Sequence, residues 1–307
     1  MVICLSADAQ AQLKGHYIPG FTGLGNGTQP PASISLGVPI YLYRTDTLKG
    51  DDGRTIGVNT QIKEAFTGFS VVMVTNAKVL GANYGFQMLP VDAIKSRIET
   101  NSLDVSDSLA ISDITVTPVW LGWHNKRADF LASYGFFVPT GEWELGGSDN
   151  SGLGMWSHDF QFGTTVHLDD KKEWTTSVLA TYEIHTHKND TDITVGDILT
   201  IEGGTGRAFY EKVTGTAIPR ITNVGVVYYT QLKVTADTGF GPLVDDVLAN
   251  SKDRVFGVGG EVNVFLPKPK LLLGVRVVPE FGARTRTQGL TVLFTVGYQA
   301  KSLAKTP

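Results

Sequence analysis

The sequence predicts an all-β fold: a closed antiparallel transmembrane β-barrel of about 12 strands, with short periplasmic turns and longer external loops. Apolar and polar residues alternate over segments of about ten residues, which is the length of a tilted membrane strand. Long polar connections alternate with short ones along the chain, as they do in membrane barrels. The longest strongly apolar run is the five residues from Met1 to Leu5, whereas a membrane-spanning helix needs about 20.

Composition excludes several classes of protein. The 307 residues suffice for one large closed sheet, and only 18% of them are charged, below the roughly 25% of soluble domains. The net charge of -4 argues against a nucleic-acid partner, because such proteins carry a basic surface. The single cysteine, Cys4, rules out a disulfide scaffold and a cysteine-based zinc site.

Two segments precede the predicted barrel. Residues 1–11 end in an Ala-Gln-Ala sequence, the small-x-small form of a signal-peptidase site. We predict that they are the remnant of a truncated signal peptide, and an ordinary short tail is the alternative. Residues 12–32 are too rich in glycine and proline for a regular element, yet contain Tyr17 and Phe21, which favour burial. They are predicted to fold into the lumen as a plug, and a periplasmic leader without a role is the alternative.

Twelve strand candidates follow within residues 33–298. They lie at about 33–43, 56–75, 80–92, 109–124, 127–138, 153–168, 172–186, 196–206, 220–234, 253–266, 270–283 and 288–298. In the last candidate, apolar residues occupy every second position from Leu290 to Tyr298. An even number of strands suits a bacterial single-chain barrel. Residues 299–307 are predicted to form a C-terminal tail.

The connections predict which end of the barrel each one occupies. The tight ones are residues 76–78, 125–126, 169–171 and 267–269. The connections after strands 1, 3, 5, 7 and 9 are long and polar. The alternation breaks at residues 207–219, which are too many for a turn, and at residues 284–288, which are too few for an external loop. With this parity, both chain termini lie in the periplasm.

One face of the predicted strands carries charge. The residues concerned are Glu183, Glu202, Glu261, Arg276 and Glu280, with Asp113 and Asp159 less clearly in the pattern. Charged groups in a membrane barrel must face the lumen. Arg276 is expected to lie between Glu261 and Glu280 on two consecutive strands. We interpret the set as bracing of the interior, and a constriction or solute-contact site is the alternative.

No catalytic, metal or cofactor site is predicted. Ser157, His158 and Asp159 have the residue types of a hydrolase triad, but adjacent strand residues point to opposite faces, so Ser157 and His158 cannot form the required hydrogen bond. His185 and His187 share a face of a strand, but no third metal ligand is identifiable. The sequence therefore predicts a protein that is not an enzyme and holds no cofactor.

Seven short strings carry a resemblance to a known family. They are Gly15–Gly20 with Pro30-Pro31, Leu80–Phe86, Pro118–His124, Tyr134–Gly141, Gly152–His158, Lys172–Trp174 and Arg254–Gly259. Their order and coverage resemble the bacterial outer-membrane family named for the phenol meta-degradation pathway. The resemblance implies a barrel in the bacterial outer membrane, with outer-membrane lipid and the barrel-assembly machinery as partners. One departure is that nine residues follow Tyr298, where such barrels usually end on an aromatic residue.

Three functions from different classes are compatible with these features. The resemblance favours a channel that admits small solutes, aromatic or hydrophobic growth substrates, by passive diffusion. Its expected plug and solute contacts are Tyr17, Phe21, Trp123 and Phe137. An outer-membrane enzyme of the lipid-hydrolase type would need a serine, a histidine and an acid that converge on one face. A soluble ligand-binding β-protein would need the outward apolar stripes to be buried.

Overall fold

The computed structural model describes residues 14–56, 61–99, 104–106, 109–147, 149–241 and 252–303, so the predicted signal remnant lies outside the described residues. Twelve long strands form the barrel. They are β1 Ser33–Thr45, β2 Gln61–Val79, β3 Ala82–Glu99, β4 Ile114–His124, β5 Ala128–Val138, β6 Ser157–His167, β7 Trp174–His185, β8 Ile198–Glu211, β9 Arg220–Lys233, β10 Arg254–Leu266, β11 Leu271–Arg284 and β12 Leu290–Ser302. No helix in these ranges is long and apolar enough to cross a membrane.

The barrel is closed. Strands that follow each other in sequence pair antiparallel, and β1 pairs with both β2 and β12, from Ser33 opposite Ser302 to Arg44 opposite Leu290. Short strands at Asp104–Ser106 and Ala110–Ile111 pair with β3, and Leu48–Lys49 pairs with Arg286–Thr287. The predicted closed antiparallel barrel of twelve strands is confirmed.

Several predicted boundaries need correction. The chain turns between β2 and β3 at Leu80 and Gly81, not at residues 76–78. Both turn residues have positive φ, of 50° and 80°, as the tight hairpin turns that match strand twist require. At the C-terminus, Gln299 to Ser302 belong to β12 and not to a tail, because they pair with the first residues of β1.

The two ends of the barrel differ. At the turn end, the strands are joined by Leu80–Gly81 and by residues 125–127, 168–173, 212–219 and 267–270. The 212–219 turn is shorter than predicted because β8 continues to Glu211. At the loop end, the connections are longer, except for residues 285–289. The C-terminal residue of β12, Ser302, lies at the turn end, opposite Ser33. Lys14, the first described residue, lies in the loop half.

The outer face of the barrel is apolar. In β1, Val38, Ile40 and Leu42 are exposed, whereas the alternate residues Tyr41 and Tyr43 are buried against the lumen. The same alternation of exposed and buried positions runs along β6, β7 and β11. An outward apolar band is the surface that a bilayer covers. The soluble alternative required these stripes to be buried, and they are not.

Residues 14–32, the lumen segment, occupy the inside of the barrel. The segment begins in the loop half, where the Lys14 ammonium pairs with Glu64 at 3.4 Å, and reaches the turn end at the start of β1. Its glycines allow close contact with the wall. A Cβ at Gly23 would lie 2.0 Å from the Glu261 carboxylate, and one at Gly27 would lie 2.1 Å from the backbone of Thr164. The sequence composition that excludes regular structure thus permits close packing in the lumen.

Candidate functional site

Carboxylates on the wall hold the lumen segment by its backbone. Glu202, which is fully buried, accepts hydrogen bonds from the Tyr17 hydroxyl at 2.5 Å, from the Gly20 N–H at 2.8 Å and from both the N–H and the hydroxyl of Thr22. Glu183 accepts from the N–H of His16 at 2.6 Å and from that of Tyr17 at 3.3 Å. A buried carboxylate needs such donors to offset its lost hydration.

Arg276 forms one ion pair. Its Nε lies 2.7 Å from Glu261, and its Nη1 donates to the Gly20 carbonyl at 2.7 Å. Glu261 also accepts from the Leu24 N–H at 3.1 Å. The strand register places Arg276 opposite Glu261 but Glu280 opposite Gly257. The expected position of Arg276 between two carboxylates is therefore wrong.

Glu280 has partners of its own. It accepts from the hydroxyls of Tyr43 at 2.9 Å and Tyr229 at 2.8 Å, and from the Gly289 N–H at 2.7 Å. All five charged residues predicted for the lumen face lie there and are buried. Four of them form hydrogen bonds to the lumen segment: Glu183, Glu202, Glu261 and Arg276. Glu280 instead joins β1, β9 and β11 near the loop end. The charged residues thus connect parts of the same chain to one another.

His16 is the centre of a second cluster. Its Nε2 lies 2.7 Å from Asp113 Oδ2, its Nδ1 lies 2.7 Å from Ser157 Oγ, and its ring stacks on Phe137 with centroids 4.7 Å apart. Asp113, in the connection before β4, also accepts from the N–H groups of Gly141 and Leu153. Burial alone would raise the pKa of Asp113, but the hydrogen bonds from His16 and the two N–H groups outweigh it and lower that pKa.

The cluster has the residue types of a hydrolase triad. His16, and not His158, is the histidine that contacts Ser157. His158 faces outward and bonds the Tyr134 hydroxyl at 3.0 Å, as the alternation of strand residues predicts. Ser157, however, is fully buried and does not line the cavity described next. The Ser157 hydroxyl holds the His16 ring in place through this hydrogen bond.

A cavity of about 550 Å³ lies beside the lumen segment. It is bounded mainly by residues 14–22 and by β1 to β6 and β12. Lys14 and the exposed Asp149 line it, so it opens to solvent at the loop end. Towards the turn end the lumen segment fills the barrel: Leu24 packs over Gly206 and Gly225, and Thr28 bonds Asp129 at 3.0 Å.

Three of the four predicted solute contacts line this cavity: Tyr17, Phe21 and Phe137. Trp123 does not. Its Nε1 donates to the Leu80 carbonyl at 3.0 Å, on the outer rim of the turn end. The strand pairing of β4 shifts between Val116 and Val119, and such an irregularity moves later side chains to the other face. Thr117 therefore lines the cavity, whereas Gly122 and not Trp123 faces Gln29 in the lumen.

Comparison with known proteins identifies the family. The model of the family described as "Putative MetA-pathway of phenol degradation" matches residues 45–296. The chain belongs to this family. No curated protein matches the sequence.

The phenol-degradation family member also resembles solved membrane barrels. An outer membrane channel from Pseudomonas putida F1 matches with a TM-score of 0.70 at 12% identity, covering 90% of this chain and 99% of that one. The β domain of the Bordetella autotransporter BrkA matches with a TM-score of 0.50 at 9% identity, covering 87% and 99%. At these identities the likeness shows the fold.

Sequence reasoning missed two parts of the site in this family member. His16 was not connected to Asp113 and Ser157, and Asp92, a buried cavity residue on β3, was assigned to a loop because β3 was predicted to end there. His185 and His187, for which no metal site was predicted, have separate partners: His185 lies 3.1 Å from Glu183, and His187 contacts Thr194 at 2.7 Å. The only early signal for His16 was its place in a segment too apolar to remain in solvent.

Proposed function

We propose that the protein is a channel of the bacterial outer membrane that admits small hydrophobic or aromatic solutes by passive diffusion. The observation that carries the proposal is the solvent-open cavity inside a closed barrel, with apolar side chains such as Phe21 and Phe137 on its wall. Its volume is typical of small-molecule sites. Family membership supports the solute class through the family's link to phenol degradation.

In this proposal the loop end faces outward and the turn end faces the periplasm. Long loops outside and short turns inside are the rule for bacterial barrels. Outer-membrane lipid covers the apolar band, and the barrel-assembly machinery inserts the protein; no nucleic-acid partner and no cofactor take part. Because residues 24–29 fill the turn half of the lumen, passage requires the lumen segment to move.

Blocking the cavity tests the proposal. Ser133 is buried and lines the cavity, whereas the preceding residue on β5, Ala132, pairs with the outward Phe162. We expect Ser133→Trp to lower toluene entry by about tenfold because an indole fills much of a cavity of this size, and Ala132→Trp to leave it unchanged. The measurement is the initial rate of labelled toluene uptake by intact Gram-negative cells that lack their general porins. Equal uptake by both variants and the parent would contradict the proposal, and equal loss of toluene and arabinose uptake would indicate a general pore.

A lipid hydrolase is the second candidate, and the contacts of His16 with Asp113 and Ser157 are the observation in its favour. We propose that the protein is not an enzyme because the Ser157 hydroxyl is sealed from solvent. A fluorophosphonate probe that labels activated serines is therefore expected to leave the purified protein unlabelled, as it does a Ser157→Ala variant. Labelling of the parent that disappears in Ser157→Ala would replace the channel proposal with the hydrolase.

A further inference from the structure

We propose that the cavity binds amphipathic organic cations, with an ammonium group against Asp92 or Asp159 and an apolar body against the aromatic wall. The inference rests on the proposed function and deepens it by naming a solute class. It distinguishes these solutes from neutral aromatic hydrocarbons, which offer the site no charge and no hydrogen-bond donor.

Asp92 and Asp159 have unused acceptor capacity. Asp92 is 2% exposed and Asp159 is 6% exposed, and Oδ1 of each carboxyl has no hydrogen-bond partner among the described residues. Glu202 and Glu280, in contrast, each accept three hydrogen bonds or more. Burying a carboxylate without hydrogen-bond donors costs free energy. These two positions therefore favour a bound group that donates hydrogen bonds and carries positive charge.

Both carboxyl groups line the same cavity. Each also faces a glycine across the sheet, since Gly68 pairs with Asp92 and Gly135 with Asp159. A side chain at Gly68 would collide with Asp92, because its Cβ would lie 2.2 Å from Oδ1. Gly68 therefore provides the space that the Asp92 carboxyl occupies. Asp92 on β3 and Asp159 on β6 are three inter-strand spacings apart, on the order of 14 Å along the wall, so a small cation contacts one of them at a time.

The positive side chains at the cavity already have partners. Lys14 pairs with Glu64 at 3.4 Å, and Arg286 lies 3.8 Å from Asp253 and donates to Gln231. Within the described part of the chain, neither side chain forms an ion pair with Asp92 or Asp159, and the charge at those two positions favours cations over anions. The apolar part of the ligand would contact the side chains of Phe21, Phe66 and Phe137, which line the cavity. Aromatic faces also attract organic cations.

Three ligands of nearly the same shape test the proposal: 2-phenylethylammonium, 2-phenylethanol and phenylacetate. Their affinities for the detergent-purified protein are measured by isothermal titration calorimetry. We expect the cation to bind at least about tenfold more tightly than the alcohol, and the anion more weakly than either. Asp92→Asn and Asp159→Asn should each lower the affinity for the cation, and the double variant should remove its advantage over the alcohol.

Asp170→Asn is the matched control, because Asp170 is an exposed turn residue that pairs with Arg127 outside the cavity. Unchanged alcohol binding shows that a variant retains its fold. Equal affinity for all three ligands, or a cation preference that survives in the double variant, would overturn the inference. The channel itself is tested separately: a block of toluene entry by Ser133→Trp without a cation preference would leave the channel standing and reject this solute class.

Discussion

Deletion of residues 14–29 is expected to convert the barrel into an open pore with a conductance at least about fivefold that of the intact protein. Twelve strands enclose more space than their own side chains fill, and here the lumen segment occupies the turn half. Leu24 lies over Gly206, and Gln29 donates to the Trp120 carbonyl at 2.7 Å. Once the segment is gone, water replaces its N–H groups at the lumen carboxylates, so the wall remains polar and hydrated.

Single-channel recording in planar bilayers measures the effect. A point variant gives a milder version of the same change: Gly27→Ala places a Cβ 2.1 Å from the Thr164 backbone, which forces the segment away from the wall and should raise the open fraction. Gly260→Ala is the control, because a Cβ there meets only one atom, at 3.9 Å. Unchanged conductance in the deletion variant would mean that the loops, and not the lumen segment, close the channel.

The fold was predictable from sequence because its signals are local. Alternation with a period of two marked every barrel strand, and the lengths of the connections separated the two ends. The exceptions were also local in origin. The strand irregularity near Val119 turned Trp123 outward, and two residues with positive φ moved the first turn to Leu80 and Gly81. Leu80 carries no turn signal in the sequence, because positive φ is uncommon for a residue with a side chain. Pro118 does indicate an irregularity, because proline has no N–H for strand pairing, but it does not show which way the later side chains turn.

The site was less predictable because its contacts are distant in sequence. The Tyr17 hydroxyl and Glu202 are 185 positions apart, and His16 and Ser157 are 141 apart. Periodicity showed that Glu202 faces the lumen, and composition indicated that residues 12–32 need burial. Neither pattern specifies which carboxylate meets which N–H, because that depends on how far the segment enters the barrel. The strand register likewise decided that Arg276 pairs with Glu261 and leaves Glu280 to the tyrosines.

Replacement of Arg276 is expected to destabilise the barrel strongly. Arg276→Met leaves Glu261 buried without its cation and removes the donor to the Gly20 carbonyl. Breaking a buried ion pair from one side costs about 3 kcal/mol or more. The exposed pair of Arg220 with Glu211 provides the control, and Arg220→Met should cost at most about 1 kcal/mol. The free energy of unfolding is measured by guanidinium titration in lipid vesicles, with tryptophan fluorescence as the readout.

A double variant identifies the cause of the loss. In Glu261→Gln with Arg276→Met, both charges of this pair are removed, and the amide oxygen still accepts from the Leu24 N–H. Because removing both members of a buried pair costs much less than removing one, the double variant should recover at least half of the stability lost in Arg276→Met. A loss in Arg276→Met no larger than that in Arg220→Met would show instead that water entering the lumen solvates Glu261. In that case the lumen segment would be held by its hydrogen bonds to Glu183 and Glu202, and the ion pair would contribute little.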